Sequence, residues 1–294
     1  MANLKELRGR IKSVSNIAQI TKAMEMVASM KLRKVQGKAQ ANRPYTEEIR
    51  AMVEHLASGM GNEIDEPLFQ VRDVKNTAVF LITSDRGLCG SYNANMLSAF
   101  QRWDNERKAA HPDRKVTLYC YGKKGYSFLS RRDYEVARFF AEPPLDKADF
   151  SAAKMVSKAL VDGFLDGSHD EVVMGYTEFT STARFTPKIE SFLPVQSIEG
   201  GQESETRFRQ DYILEPDADV IFGRLIPRYL ETVIYDAMIQ SMASEHASRR
   251  MAMKGATDSA TDMSKGLKKV YNRARQETIT KELLDIIGGA NAVS

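Results

Sequence analysis

DVIFGRLIPRYLETVIYDAMIQSMASEHASRRMAMKGATDSATDMSKGLKKVYNRARQETITKELLDII, residues 219–287, runs for almost 70 residues without a convincing loop. In its first half Phe222, Leu225, Ile226, Tyr229, Leu230, Val233, Ile234, Ala237, Met238 and Met242 recur at i, i+3, i+4, i+7 spacing. That is the pattern of a helix with one broad buried face. From Ala243 to Met263 the residues turn small and polar, and Leu267, Val270, Ala274, Ile279, Leu283, Ile286 and Ala290 then resume a 3/4 spacing. A helix of this length spans roughly 100 Å at 1.5 Å per residue. Such a helix is not stable alone in water, so it requires a partner along its length.

The matching stretch lies at the other end of the chain. Leu4, Leu7, Ile11, Val14, Ile17, Ile20, Met24 and Val27 form a seam with a three-residue slip between Val14 and Ile17, read here as a stammer. Tyr45, Ile49, Met52 and Leu56 continue the spacing, Pro44 predicts a kink or break near Arg43, and Gly59–Gly61 predicts the end. This segment spans roughly 80 Å. Two long one-seamed helices that bracket a middle domain can pair antiparallel.

Between them the period changes. After a polar connector at 62–75, Ala78–Thr83 is a continuous apolar run, as for a strand buried on both faces. A loop at 84–91 leads into a helix to about Arg107. Val116–Tyr121 is a second strand with a helix after Gly122, Val136–Phe140 a third, Asp149–Leu165 a helix and Glu171–Tyr176 another buried strand. Phe185–Pro194 reads as an edge strand, because Pro187 cannot donate to a central ladder. Residues 199–209 read as loop, Tyr212–Asp217 leads into the last helix, and Pro227 beside Gly223 predicts a kink or short break there. The expected fold is thus mixed: a long antiparallel coiled coil (1–60 with 210–294) and a Rossmann-like α/β domain (76–198) with a largely parallel sheet.

The chain has 294 residues, 43% hydrophobic and 28% charged, with a formal net charge of +3. Charge is unevenly placed: ten Lys or Arg precede Tyr45, opposed only by Glu6 and Glu25. Those cations suit the solvated flanks of a coiled coil or steering onto an acidic protein surface. Nucleic acid is a weaker reading, since no aromatic residues are interleaved to stack bases. Cys89 and Cys120 make no disulfide framework. No apolar run approaches 18 residues and no signal-peptide core opens the chain, so a soluble protein is expected.

Motifs for chemistry fail one by one. The Asp85–Gly90 loop follows a buried strand and opens a helix, a common place for phosphates. Yet Gly87-Leu88-Cys89-Gly90 is neither a dinucleotide fingerprint nor a Walker A sequence. Cys89 near a helix start can be a nucleophile, but no histidine stands near it in sequence. Glu245-His246 resembles a zinc-protease helix, but Arg250 stands where the second ligand belongs. His55, His111, His169 and His246 are scattered. The C-terminal end carries Leu283, Leu284, Ile286, Ile287, Ala290, Ala292 and Val293, an apolar tip that asks for a pocket or sleeve. A cysteine-dependent α/β enzyme with a helical arm, or a coiled-coil scaffold, are the competing classes.

Four separated motifs carry a resemblance. They are Ile20-Thr21-Lys22-Ala23-Met24-Glu25-Met26-Val27-Ala28-Ser29, Thr83 through Gly90, Ser244-Glu245-His246-Ala247-Ser248-Arg249-Arg250-Met251 with Ala256-Thr257-Asp258, and Tyr271 through Gln276 leading into Ile279-Thr280-Lys281-Glu282. In order and end to end, they are similar to the gamma subunit of F-type ATP synthase. The resemblance implies a central rotor shaft with no chemistry and no cofactor of its own. It implies contacts with the catalytic alpha and beta subunits at Lys22, Met24, Asp85, Arg86, Cys89, Arg275, Gln276, Thr280 and Glu282. A sleeve around Leu283, Ile286 and Ile287 and a foot on the membrane c-ring that includes Tyr212 are implied as well. An epsilon subunit is the further implied partner, with neither nucleic acid nor direct membrane insertion. The implied location is peripheral, on the cytoplasmic face of a bacterial inner membrane. The chloroplast-type insertion with paired cysteines is absent, and Pro227 is a departure from the family pattern.

Overall fold

The structure is a computed structural model that describes residues 4–60, 67–132, 134–195 and 218–293. Tyr212 and the 199–209 loop lie outside the described residues. By compactness the chain divides into Met1–Met30 with Arg249–Ser294, and Lys31–Ser248. Both terminal helices, α1 (Leu4–Met60) and α5 (Ala218–Val293), contribute to each unit.

In the first unit the two helices pair antiparallel. Arg8 donates to the Tyr271 hydroxyl at 2.9 Å and Thr257 donates to the Thr21 hydroxyl at 2.8 Å, so ascending α1 means descending α5. The seam of α1 is Leu4, Leu7, Ile11, Val14, Ala18, Thr21, Glu25 and Ala28, an unbroken alternation of three and four. The stammer expected from Ile17 and Ile20 is therefore absent. Ile17 is 52% exposed, Ile20 60% and Val27 47%, while small Ala18, Thr21 and Ala28 take the inner positions. The physical reason is geometric: a heptad seam keeps its phase, and hydrophobicity that leaves the seam is left outside. On α5 the matching set is Met253, Thr257, Ala260, Ser264, Leu267, Tyr271 and Ala274, and Val270 is likewise displaced outward at 52% exposure.

The second unit holds a five-stranded sheet in the order β3-β2-β1-β4-β5: β1 Asn76–Ile82, β2 Lys115–Tyr121, β3 Val136–Phe140, β4 Glu171–Phe179 and β5 Phe185–Leu193. β1 through β4 run parallel, and β5 pairs antiparallel with β4 at the edge, with Pro187 opposite Thr177. The pleat sorts side chains between two cores. Val79, Leu81, Leu118, Cys120 and Val173 face α2 (Tyr92–Ala110) and α3 (Lys123–Leu129). Ala78, Phe80, Ile82, Val172 and Met174 face α4 (Phe150–Leu165), Leu32, Val35 and Val53 of α1, and Ile226 through Ala247 of α5. Asp149 caps α4, its Oδ1 accepting from the Ser151 and Ala152 amides at 3.1 and 3.2 Å.

Two further expectations are corrected. α1 runs through Pro44 and α5 through Pro227 without a break. Each proline is exposed, and so are Gln40 and Gly223, whose carbonyls lose their usual donors; water can replace the missing bond. The connector before β1 is not wholly polar, since Leu68 in the turn Pro67–Phe69 is 3% exposed and its carbonyl accepts from the Val195 amide at 2.8 Å. Ser241 through Ser248, where the small polar stretch of α5 begins, are all buried.

Candidate functional site

The loop from Thr83 to Ser91 is built from the inside. Thr83 is buried and its hydroxyl accepts from the Gly125 amide at 2.9 Å, which ties the end of β1 to α3. Gly122 makes this possible. It sits at φ +100°, and a Cβ there would lie 2.1 Å from the Thr83 carbonyl oxygen. Asp85 points inward too, accepting from the Lys123 amide and the Leu145 amide, both at 3.1 Å. Asn93 gives its oxygen to the Ser84 amide at 2.9 Å and donates to Ser84 Oγ at 2.7 Å and Cys89 Sγ at 3.3 Å. Leu88 adopts φ +62° and is 63% exposed. The result is a braced hook: Arg86, Gly87 and Leu88 are exposed at its crest, and Cys89, at 2% exposure, lies within.

In open α/β sheets ligands enter the crevice at the carboxyl ends of the strands, where the strand order reverses. Here that is beside the ends of β1 and β4, and α5 fills it. Ser241 Oγ accepts from the Thr177 amide at 3.2 Å, Ser244 donates to the Thr177 carbonyl at 3.1 Å, and Ser248 donates to the Cys89 carbonyl at 2.6 Å. Two small hydroxyls thus seat the helix on β4, and a third seats it on the hook. Serine content in a helix is a weak signal in sequence, because it marks surface as often as a polar core.

The hook is also tied to α1. Asp85 holds the Leu145 amide, and the next residue, Asp146, pairs with Lys31 at 2.6 Å. Burial would raise the Asp146 carboxyl, but the hydrogen bond and charge of Lys31, with Arg86 and His246 beyond, hold it below the ordinary carboxylate range.

In the first unit the other sequence-expected residues fall at two levels. Lys22 is exposed and pairs with Glu25 at 3.0 Å, and Met24 is half-buried beside the seam. Arg275, Gln276, Thr280 and Glu282 are all exposed. Because Thr257 lies opposite Thr21 and Tyr271 beside Arg8, Arg275 stands roughly 27 Å along the pair from the level of Lys22. The structure does not bring these two groups together. Beyond Ala274 every residue to Ile287 is exposed, including Leu283 at 54%, Leu284 at 63%, Ile286 at 68% and Ile287 at 57%. Sequence reasoning missed the ridge of Ile17, Ile20, Val27 and Met30, which it had counted mostly as core.

Among the described residues no group of histidine, cysteine or carboxylate side chains is spaced to hold a metal, and no helix is long and apolar enough to cross a membrane. Both cysteines are buried free thiols, and burial pushes Cys120 up to about 12.

A family model described as ATP synthase matches residues 3–293. The ATP synthase gamma chain of Maridesulfovibrio salexigens is 37% identical over 294 residues, covering 100% of this chain and 99% of that protein. That of Dehalococcoides mccartyi strain CBDB1 is 40% identical over 297 residues, covering 100% of both. The chain belongs to the ATP synthase gamma chain family. As a gamma chain it is a non-catalytic, central-stalk rotor subunit of the ATP synthase complex. Solved assemblies share the fold. A chain of the Euglena gracilis mitochondrial ATP synthase (OSCP/F1/c-ring, rotational state 3) matches with TM-score 0.67 at 18% identity, over 99% of this chain and 94% of that one. A chain of the Tetrahymena thermophila central stalk and c-ring matches with TM-score 0.60 at 23% identity, over 81% and 99%.

Proposed function

We propose that this gamma chain transmits torque between a membrane c-ring and a catalytic alpha/beta hexamer through its exposed helical surfaces. The observation that carries this is the tip of α5, which outruns its partner helix and keeps four large aliphatic side chains in water. A solvent-facing apolar tip of that kind fits insertion into a sleeve, here assigned to Leu283, Ile286 and Ile287. The alpha and beta subunits are assigned to Lys22, Met24, the Asp85–Cys89 hook with Arg86 at its crest, and Arg275, Gln276, Thr280 and Glu282. The domain scheme of 1–60 with 210–294 as shaft and 76–198 as sheet domain belongs to the same reading. So do an epsilon subunit on the sheet domain, a c-ring foot that includes Tyr212, and a peripheral position on the cytoplasmic face of a bacterial inner membrane.

The mechanism follows from symmetry. One asymmetric shaft cannot touch three identical catalytic subunits alike, and unequal contact is what biases each toward a different conformation. Turning the shaft carries every site through the same cycle, and the coupling is reciprocal, so hydrolysis can turn it backwards. Charge reversal at Lys22 or Arg275, both exposed, is expected to leave the isolated chain folded while lowering ATP-driven proton pumping in the reconstituted complex. Variants that lose thermal stability yet keep full coupled turnover would refute these assignments. Cys89→Ala serves as the control against a thiol enzyme, since a rotor keeps its coupled turnover without that sulfur.

A further inference from the structure

We infer that the recess between α1 and the turn Leu145–Lys147 is a binding site for a small phosphoryl anion, free or at the end of a nucleotide. Lys31, Lys34 and Lys38 stand at i, i+3 and i+7 on one face of α1 and line a cavity of about 250 Å³. Lys147 and Asp146 close it from the turn, and His246, 2% exposed, forms part of the wall. Four lysines and one carboxylate thus line the cavity, and that carboxylate is already engaged with Lys31 at 2.6 Å. Burial would raise the Asp146 carboxyl, but the hydrogen bond and charge of Lys31, with Arg86 and His246 beyond, hold it low, so this carboxylate stays ionised and committed to Lys31. Lysine binds phosphate as a compact point charge with three donors, and arginine can replace it there because the guanidinium fork also matches phosphate oxygens. The cavity lies below the roughly 300–1,000 Å³ of sites for drug-sized ligands, which restricts the occupant to phosphate, pyrophosphate or the phosphate end of a larger molecule. This site is independent of the rotor assignment and sits outside the interface residues named above.

Calorimetric titration of the full chain with pyrophosphate at fixed ionic strength tests it. One saturable site is expected, weakened roughly tenfold or more by Lys34→Ala with Lys38→Ala. Lys34→Arg with Lys38→Arg should largely restore it, and the equal charge loss of Lys268→Ala with Lys269→Ala on α5 should leave it unchanged. Inorganic phosphate and ADP as alternative titrants separate the two sources: ADP binding as tightly as pyrophosphate marks a nucleotide end, and much weaker ADP binding marks a free anion. A non-saturating response, or equal weakening by both alanine pairs, overturns the proposal as diffuse charge. Binding of poly-glutamate with no response to pyrophosphate or phosphate overturns it in favour of a surface for acidic protein segments.

Discussion

Ile20→Ser separates the observed helix register from the one that the apolar pattern of α1 suggests. In a stammered seam Ile20 is core, and truncating it to a polar residue would cost about 2–5 kcal/mol, as for other large-to-small core changes. In the structure Ile20 is 60% exposed and Thr21 takes the inner position, bonded to Thr257 at 2.8 Å. Full burial of such a side chain contributes about 1.5–3 kcal/mol, so the fraction covered here is worth about 1 kcal/mol or less. Ala28 gives the converse: it is 1% exposed, and Ala28→Leu forces three extra carbons into a filled seam at about 1–3 kcal/mol. Urea unfolding of the isolated chain, followed by circular dichroism, reads both as shifts of midpoint at constant slope. The expected order is a small shift for Ile20→Ser and a larger one for Ala28→Leu. An Ile20→Ser midpoint that falls as far as that of Ala28→Leu refutes the register. The same Ile20→Ser variant should lose affinity for the alpha/beta hexamer, because on this structure the side chain is kept for a surface outside the helix pair.

Ser248→Ala removes the 2.6 Å bond to the Cys89 carbonyl, an oxygen that also accepts from the Tyr92 amide at 3.3 Å; a loss of about 1–2 kcal/mol is expected, with hydrogen exchange rising at the hook amides 86–90. Gly122→Ala should fail to fold or unfold well below the parent temperature, since the added carbon meets the Thr83 carbonyl oxygen at a backbone φ of +100°. The Asp146 carboxyl is held below its ordinary value of 3.8, so the Lys31 pair contributes fully above pH 3.8 and is lost as pH falls through the lower folded value; Asp146→Asn should flatten that part of the acid-unfolding curve, and an unchanged acid limb counts against it. Leu283→Asp with Ile286→Asp should leave the isolated chain's unfolding midpoint in place, because both side chains are more than half exposed, and should abolish assembly with the hexamer in a pull-down.

The sequence by itself determined the two long helices, the alternation of strands and helices between them, the parallel strands and the edge position of β5, and the family. These are local or periodic properties. A continuous run such as Ala78–Ile82 has both faces covered and shows it in composition, and Pro187 excludes itself from a central ladder whatever surrounds it. Tertiary structure alone decided which of two apolar stripes on α1 faces α5. Ile17, Ile20, Ala18 and Thr21 are compatible with either phase, and the choice is fixed by the partner's Thr257 and Ala260, which sit far away in the chain. It also decided the fate of Ser241, Ser244 and Ser248. A serine on a helix becomes a core residue only when a strand end or a turn offers a backbone group to it, and that offer comes from Thr177 and Cys89 on other elements. Pro44 and Pro227 follow the same logic. A proline breaks a helix when the carbonyl it orphans is dry, and both orphaned carbonyls here belong to exposed residues.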